Sequence, residues 1–169
     1  MKTLILIRHA KSGWDDLSAS DYDRTLNSRG KGDAPKMGLT LNQRQLVPDL
    51  FLSSTAERAR MSTTLMLEAM PYPLEKVAWR RELYLATTSK LMQTIRTVPD
   101  VVNTLALLAH NPGISDLAER LSGRAIGNMP TASVVLLTAE IESWSSAGCL
   151  WQLLDYNYPK QCSESLNQE

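Results

Sequence analysis

The chain of 169 residues is 43% hydrophobic and 21% charged, with 18 Lys/Arg balanced by 18 Asp/Glu. That is enough apolar material for one sizeable core, and a net charge near zero gives no reason to expect nucleic acid or an anionic membrane as the main partner. The charge is uneven: residues 1–60 hold ten Lys/Arg against seven Asp/Glu, and the remainder eight against eleven. The apolar run after Lys2 is too short for a secretory h-region and no run reaches membrane-spanning length. Cys149 and Cys162 make neither a disulfide framework nor a metal-ligand spacing, so reduced thiols in the cytoplasm are expected.

Thr3 to Ile7 is a strand-length apolar run that feeds into Arg8 and His9. Unbroken runs of this kind mark strands buried on both faces of a parallel sheet, and ligands gather beyond their carboxyl ends. A polar loop from Lys11 to Arg24 follows; its aspartates, Asp15, Asp16, Asp21 and Asp23, lack calcium-loop spacing and read as solvated. Asn27 or Ser28 opens a helix with Ala34, Met37 and Leu41 inward, although Gly30, Gly32, Pro35 and Gly38 count against it. Pro48 to Leu52 reads as a second strand. Ser54 and Glu57 have capping-box spacing for a helix with Ala56, Ala59, Thr63, Met66 and Met70 on one face, which Pro71 and Pro73 stop.

Lys76 to Trp79 is a third candidate strand, and Thr88 or Ser89 starts a helix carrying Leu91, Ile95 and Val98. Leu105 to Ala109 is a second wholly apolar strand, and it also runs straight into a histidine, His110. Asn111 and Pro112 suit the N-cap and N1 positions of a helix over Ile114 to Leu121. Two strands, about Ala132–Thr138 and Leu150–Leu154, are joined by Ala139–Cys149. Alternating strands and helices predict a three-layer α/β sandwich with a mostly parallel sheet, one domain over 1–158, and a polar tail over 159–169.

The chain has two histidines, and each ends an apolar strand. Structural histidines bonded to strand-end carbonyls are the simplest reading of either one alone. A zinc site is a second, but no short ligand spacing exists and two arginines would repel the cation. Arg8 adjoins His9, and Arg58 lies in the first turn of a helix, where backbone amides already favour an anion. Arginine's fork suits phosphate oxygens. Arg8, His9, Arg58 and His110 therefore predict a pocket for a tetrahedral dianion, with one imidazole free to attack phosphorus and the other, if protonated, neutralising charge. No metal or other cofactor is required.

These residues resemble the signature of the histidine phosphatase superfamily, a strand ending in Arg-His-Gly, here Arg8-His9-Ala10. The chain is most similar to its small SixA-type phosphohistidine phosphatases. The matching stretches are Arg8 to Ser12, Asp23 to Leu26, Pro48 to Ser54, Glu57 to Arg60, Leu83-Tyr84, His110 to Gly113 and Pro130-Thr131, in family order. The resemblance implies a phosphoglycerate mutase-like fold and phosphorylation of His9, with Arg8, Arg58 and His110 around the phosphoryl oxygens. Ser12 and the Asn111 backbone are further candidates. The substrate it implies is a protein phosphohistidine; the alternatives are a small phosphate ester, or a phosphate-binding module without turnover. Ala132-Ser133 stands where Gly-Ala is common, and Asn111 where the acid-phosphatase branch has an aspartate. Glu82 is the candidate for the mutase-branch acid, against a plain role as partner of Arg80 or Arg81.

Overall fold

The computed structural model describes residues 1–159; the expected polar tail lies outside them from residue 160 onward. Six strands form one sheet: β1 (Lys2–Arg8), β2 (Leu50–Ser54), β3 (Ala78–Arg80), β4 (Thr104–Ala109), β5 (Val134–Ala139) and β6 (Gln152–Asn157). Their order is β3-β2-β4-β1-β5-β6. The pairs β3-β2, β2-β4 and β4-β1 are parallel, and β1-β5 and β5-β6 are antiparallel. The sheet is therefore mostly parallel, as expected, with its antiparallel part at the C-terminal edge. The third, fifth and sixth strands each begin about two residues later than the periodicity suggested.

Helices α1 (Ser28–Gln43) and α2 (Glu57–Leu67) cover one face, and α3 (Thr88–Arg96) and α4 (Gly113–Ser122) the other. Strand β1 divides its side chains accordingly. Leu4 and Leu6 enter the layer with α3 and α4, while Ile5 and Ile7 enter the layer with α1 and α2. A strand with apolar layers on both sides has no solvent face, so its sequence cannot alternate.

Helix α1 forms despite its glycines because two of them are contact surface. A Cβ on Gly38 would stand 2.1 Å from the Met66 carbonyl oxygen of α2, and one on Gly30 would stand 2.2 Å from the Lys11 carbonyl oxygen. Close packing here outweighs the roughly 1 kcal/mol propensity cost of each glycine. The segment joining β5 and β6 is more than a connection. Trp144 is fully buried, its indole N–H donates to the Val102 carbonyl at 2.8 Å, and its ring stacks on Trp151 at 5.9 Å.

Two expected helix starts differ. The capping box at Ser54 and Glu57 is absent: the N-cap of α2 is Ala56, without a side-chain cap. The Glu57 amide donates to the Tyr22 carbonyl at 3.0 Å, and the Ser54 hydroxyl pairs with His110 at 2.7 Å. The start of α4 is shifted by one residue, with Pro112 at the N-cap rather than Asn111. The Asn111 side chain turns away, accepting from Ser115 Oγ at 2.6 Å and donating to Asn128 and Met129.

Candidate active site

Register brings the histidines together. The parallel pairing of β1 with β4 sets Arg8 opposite Ala109, so the next residues, His9 and His110, leave the sheet side by side. Their ring centroids are 4.9 Å apart. Strand β2 pairs with the other edge of β4 and ends at the same side of the sheet, so Ser54 meets His110 and the first turn of α2 delivers Arg58. Three parallel strands thus end in one place, where such folds gather ligands.

The resulting cleft has a volume of about 440 Å³ and is lined by Arg8, His9, Ser12, Arg58, His110 and Asn111, together with Lys11, Trp14, Asp21, Arg24, Leu85 and Thr131. Every candidate from the sequence lies there except Glu82. That residue sits in the turn Arg81–Leu83 and lines a separate hollow with Leu50, Leu52, Arg80 and Lys90.

The protonation of His9 follows from its neighbours. Nδ1 is 2.7 Å from the Ala10 carbonyl oxygen, which can only accept, so Nδ1 carries the proton. Arg58 Nε can only donate, and it points at His9 Nε2 at 3.3 Å. The free lone pair is therefore on Nε2. Burial, with the charges of Arg58 and Arg8, overrides the Ala10 bond and pushes the His9 pKa down to about 3. The loop after His9 is fixed by Ser62, which accepts from the Ala10 amide at 2.8 Å and donates to the Arg58 carbonyl at 2.6 Å.

Arg58 is almost fully buried and is held by Asp21, a residue the sequence placed among solvated loop aspartates. Its Nη1 donates to the Asp21 carbonyl at 2.5 Å and its Nη2 to Asp21 Oδ2 at 3.1 Å. Tyr84 donates to the same Oδ2 at 2.6 Å and sets its ring edge-on to His110, with centroids 5.5 Å apart. Arg24 pairs with the other oxygen, Oδ1, at 2.9 Å. Partial burial works to raise the Asp21 pKa, but the Tyr84 bond and the Arg58 and Arg24 contacts prevail and hold it at about 2. The part Asp21 plays, and its bond from Tyr84, escape sequence reading because Arg58 and Tyr84 lie 37 and 63 residues away from it.

Two buried polar atoms in the cleft-lining set lack a protein partner: His110 Nδ1 and Arg8 Nε. Arg8 Nη1 donates to the Met129 carbonyl at 2.6 Å, so the guanidinium is anchored at one end only. Buried unpaired groups of this kind signal a ligand's place. The sequence makes a charge-neutralising role for the second histidine conditional on its protonation. Burial first, then His9 and Arg58, push the His110 pKa down to about 2, which favours the neutral ring. Ala132, in the stretch where glycine is common, is buried with a φ of 60°; that left-handed conformation costs an alanine about 1–2 kcal/mol.

A stability prediction arises here. Both histidines have folded pKa values below their unfolded values, near 6.5, so between about pH 6.5 and 3 the unfolded chain binds more protons. Stability is therefore full above pH 7 and is lost as the pH falls through that window, at up to about 2.7 kcal/mol per pH unit for two protons. Asp21 adds a loss of the same sign below about pH 4. Urea unfolding from pH 8 to 4 measures this, and a flat profile would contradict the buried neutral pair.

The fold and the two histidines and two arginines gathered at the strand ends suit the binding of a phosphoryl group. The family model of the histidine phosphatase superfamily (branch 1) matches residues 4–100, and the chain belongs to that superfamily; it is a phosphatase. An uncharacterised chloroplastic protein of Arabidopsis thaliana is 35% identical over 158 residues, covering 88% of this chain and 72% of its own. An Agrobacterium tumefaciens protein, provisionally named phosphohistidine phosphatase SixA, is 27% identical with a TM-score of 0.80, covering 94% of this chain and 99% of its own. The protein histidine phosphatase SixA complexed with tungstate shares the fold at 17% identity and a TM-score of 0.82, over 95% and 99% of the two chains. A mycobacterial glucosyl-3-phosphoglycerate phosphatase shares it at 17% identity and 0.66, over 90% and 97%. No helix among the described residues is long and apolar enough to cross a membrane.

Proposed function

We propose that the protein removes phosphate from phosphohistidine on a protein, without a metal, through a phospho-His9 intermediate, in the cytoplasm. The observation that carries this is the His9 lone pair: Nε2 is unprotonated, and Arg58 donates to it. In the first step Nε2 attacks phosphorus in line, the P–N bond to the substrate breaks, and its electron pair stays on the departing imidazole. A substrate ring protonated on its far nitrogen leaves neutral. Nδ1 of His9 keeps its proton on the Ala10 carbonyl, so phospho-His9 is itself a good leaving group. In the second step water attacks phosphorus, phosphate forms and His9 is released neutral, with the surplus water proton passing to phosphate or solvent.

Arg8, Arg58 and His110 surround the transferring oxygens and stabilise them as charge develops. Arg58 Nε then exchanges the His9 lone pair for a phosphoryl oxygen. The arriving dianion raises the basicity of His110 and gives its unpaired Nδ1 a partner. Ser12 and the Asn111 backbone flank the cleft as further candidate donors.

The leaving group decides the substrate class. Asp21 is committed to Arg58, Arg24 and Tyr84, and Glu82 lines another hollow, so among the described residues of the cleft no carboxylic acid is poised to protonate an alkoxide. Imidazole is far less basic than an alkoxide and departs without such help. Assays of phosphohistidine against alkyl phosphates, with EDTA and with Glu82→Gln, test this. We expect P–N hydrolysis that neither EDTA nor Glu82→Gln alters. Faster turnover of alkyl phosphates that collapses in Glu82→Gln would mark a metabolite phosphomonoesterase. Phosphate binding without turnover would mark a binding module.

A further inference from the structure

Two large apolar side chains stand exposed among the otherwise polar lining of the cleft. Trp14, on the loop after His9, is 55% exposed, and Leu85, on the turn after Tyr84, is 54% exposed. Both line the same cleft as His9 and His110. Large apolar side chains left in water beside a polar site are surface that a partner can cover. Leu85 is also held at a φ of 47°, a left-handed conformation that an unbranched polar residue or glycine would adopt at lower cost. Strain kept at a site rim is a second sign of function there. Trp14 is not loose: the Arg24 guanidinium stacks on its ring with 4.1 Å between the Arg24 Cζ and the ring centroid. Arg24 is in turn fixed to Asp21, the anchor of Arg58. The indole is therefore presented on a rigid support continuous with the catalytic cleft. Lys11 stands beside it as a further cation.

We infer that Trp14 and Leu85 form a docking rim for a folded protein whose surface carries the phosphohistidine, with apolar and carboxylate side chains flanking that residue. This rests on the function proposed above and adds the recognition surface. The carboxylates would meet Lys11 and the outer edge of Arg24, and the apolar flank would bury the indole and Leu85. Rigid aromatic anchors of this type dominate interface energies.

The test compares two probes: a folded protein phosphorylated on a surface histidine with phosphoramidate, and free phosphohistidine. For each enzyme the ratio of kcat/KM on the protein to kcat/KM on the free amino acid is measured. Trp14→Ala and Leu85→Asn, the latter suited to a positive φ, should each lower that ratio by about tenfold, the change that ~1.4 kcal/mol gives. Trp14→Phe should restore most of it. An unchanged ratio in both variants overturns the rim as a docking surface and leaves the phosphohistidine reading intact. So does an unchanged ratio with altered sedimentation, which would seat a second copy of this chain there. Failure of the unaltered enzyme to hydrolyse either P–N bond overturns both.

Discussion

Replacing His9 with alanine should abolish turnover on every substrate while leaving phosphate binding in place. The distinction matters because His9 contributes a lone pair, whereas the charge that holds the anion comes from elsewhere. Arg58 keeps its two bonds to Asp21 without His9, and Arg8 keeps its bond to the Met129 carbonyl. Removing the ring also removes a partner of Arg58 Nε, which then becomes free for the anion. Steady-state assays give the loss of kcat, and titration calorimetry with inorganic phosphate gives the binding. Residual turnover near the original rate would place the nucleophile outside His9; loss of both properties would mean that the ring is structural.

Arg58→Ala is the second large effect, and its size can be bounded. Removing one preorganised donor from a site of developing charge costs about 2.7–4 kcal/mol, or 10²–10³ in kcat. Arg58 should fall in that range because it is buried, aimed at His9 Nε2 and held at two points by Asp21. Arg58→Lys should recover only a part. An ammonium supplies a point charge but cannot bond the Asp21 backbone and carboxylate while also reaching His9 Nε2. A kcat within a few-fold of the original in Arg58→Ala would remove this residue from the chemistry.

The centre of the fold was legible because its physics is local. Thr3 to Ile7 and Leu105 to Ala109 are continuous apolar runs, and only a strand with core on both faces requires that. Once both were placed in one parallel sheet, the two terminal histidines had to emerge at the same end. Arg58 was legible for a related reason, since the first turn of a helix after a strand faces the same edge.

What stayed hidden depends on contacts distant in sequence. Asp21 looks like its neighbours Asp15, Asp16 and Asp23 until the fold brings Arg58, Arg24 and Tyr84 to it. The capping box at Ser54 failed because a tertiary partner, His110, took the serine hydroxyl that local reasoning assigned to an amide. Gly30 and Gly38 counted against α1 in the sequence, yet they serve close approach to Lys11 and Met66, which composition alone does not reveal. Glu82 is next to the site in sequence terms through Leu83-Tyr84, but the single turn Arg81–Leu83 directs it to another hollow.

The covalent step can be observed directly. Brief reaction with a ³²P-labelled phosphohistidine protein, alkaline quench and peptide mapping should find label on Nε2 of His9, stable to base, labile to acid and absent from His9→Ala. A rapidly turning-over enzyme that yields no acid-labile label, or one that carries it on His110, would contradict a mechanism in which the Nε2 lone pair attacks phosphorus.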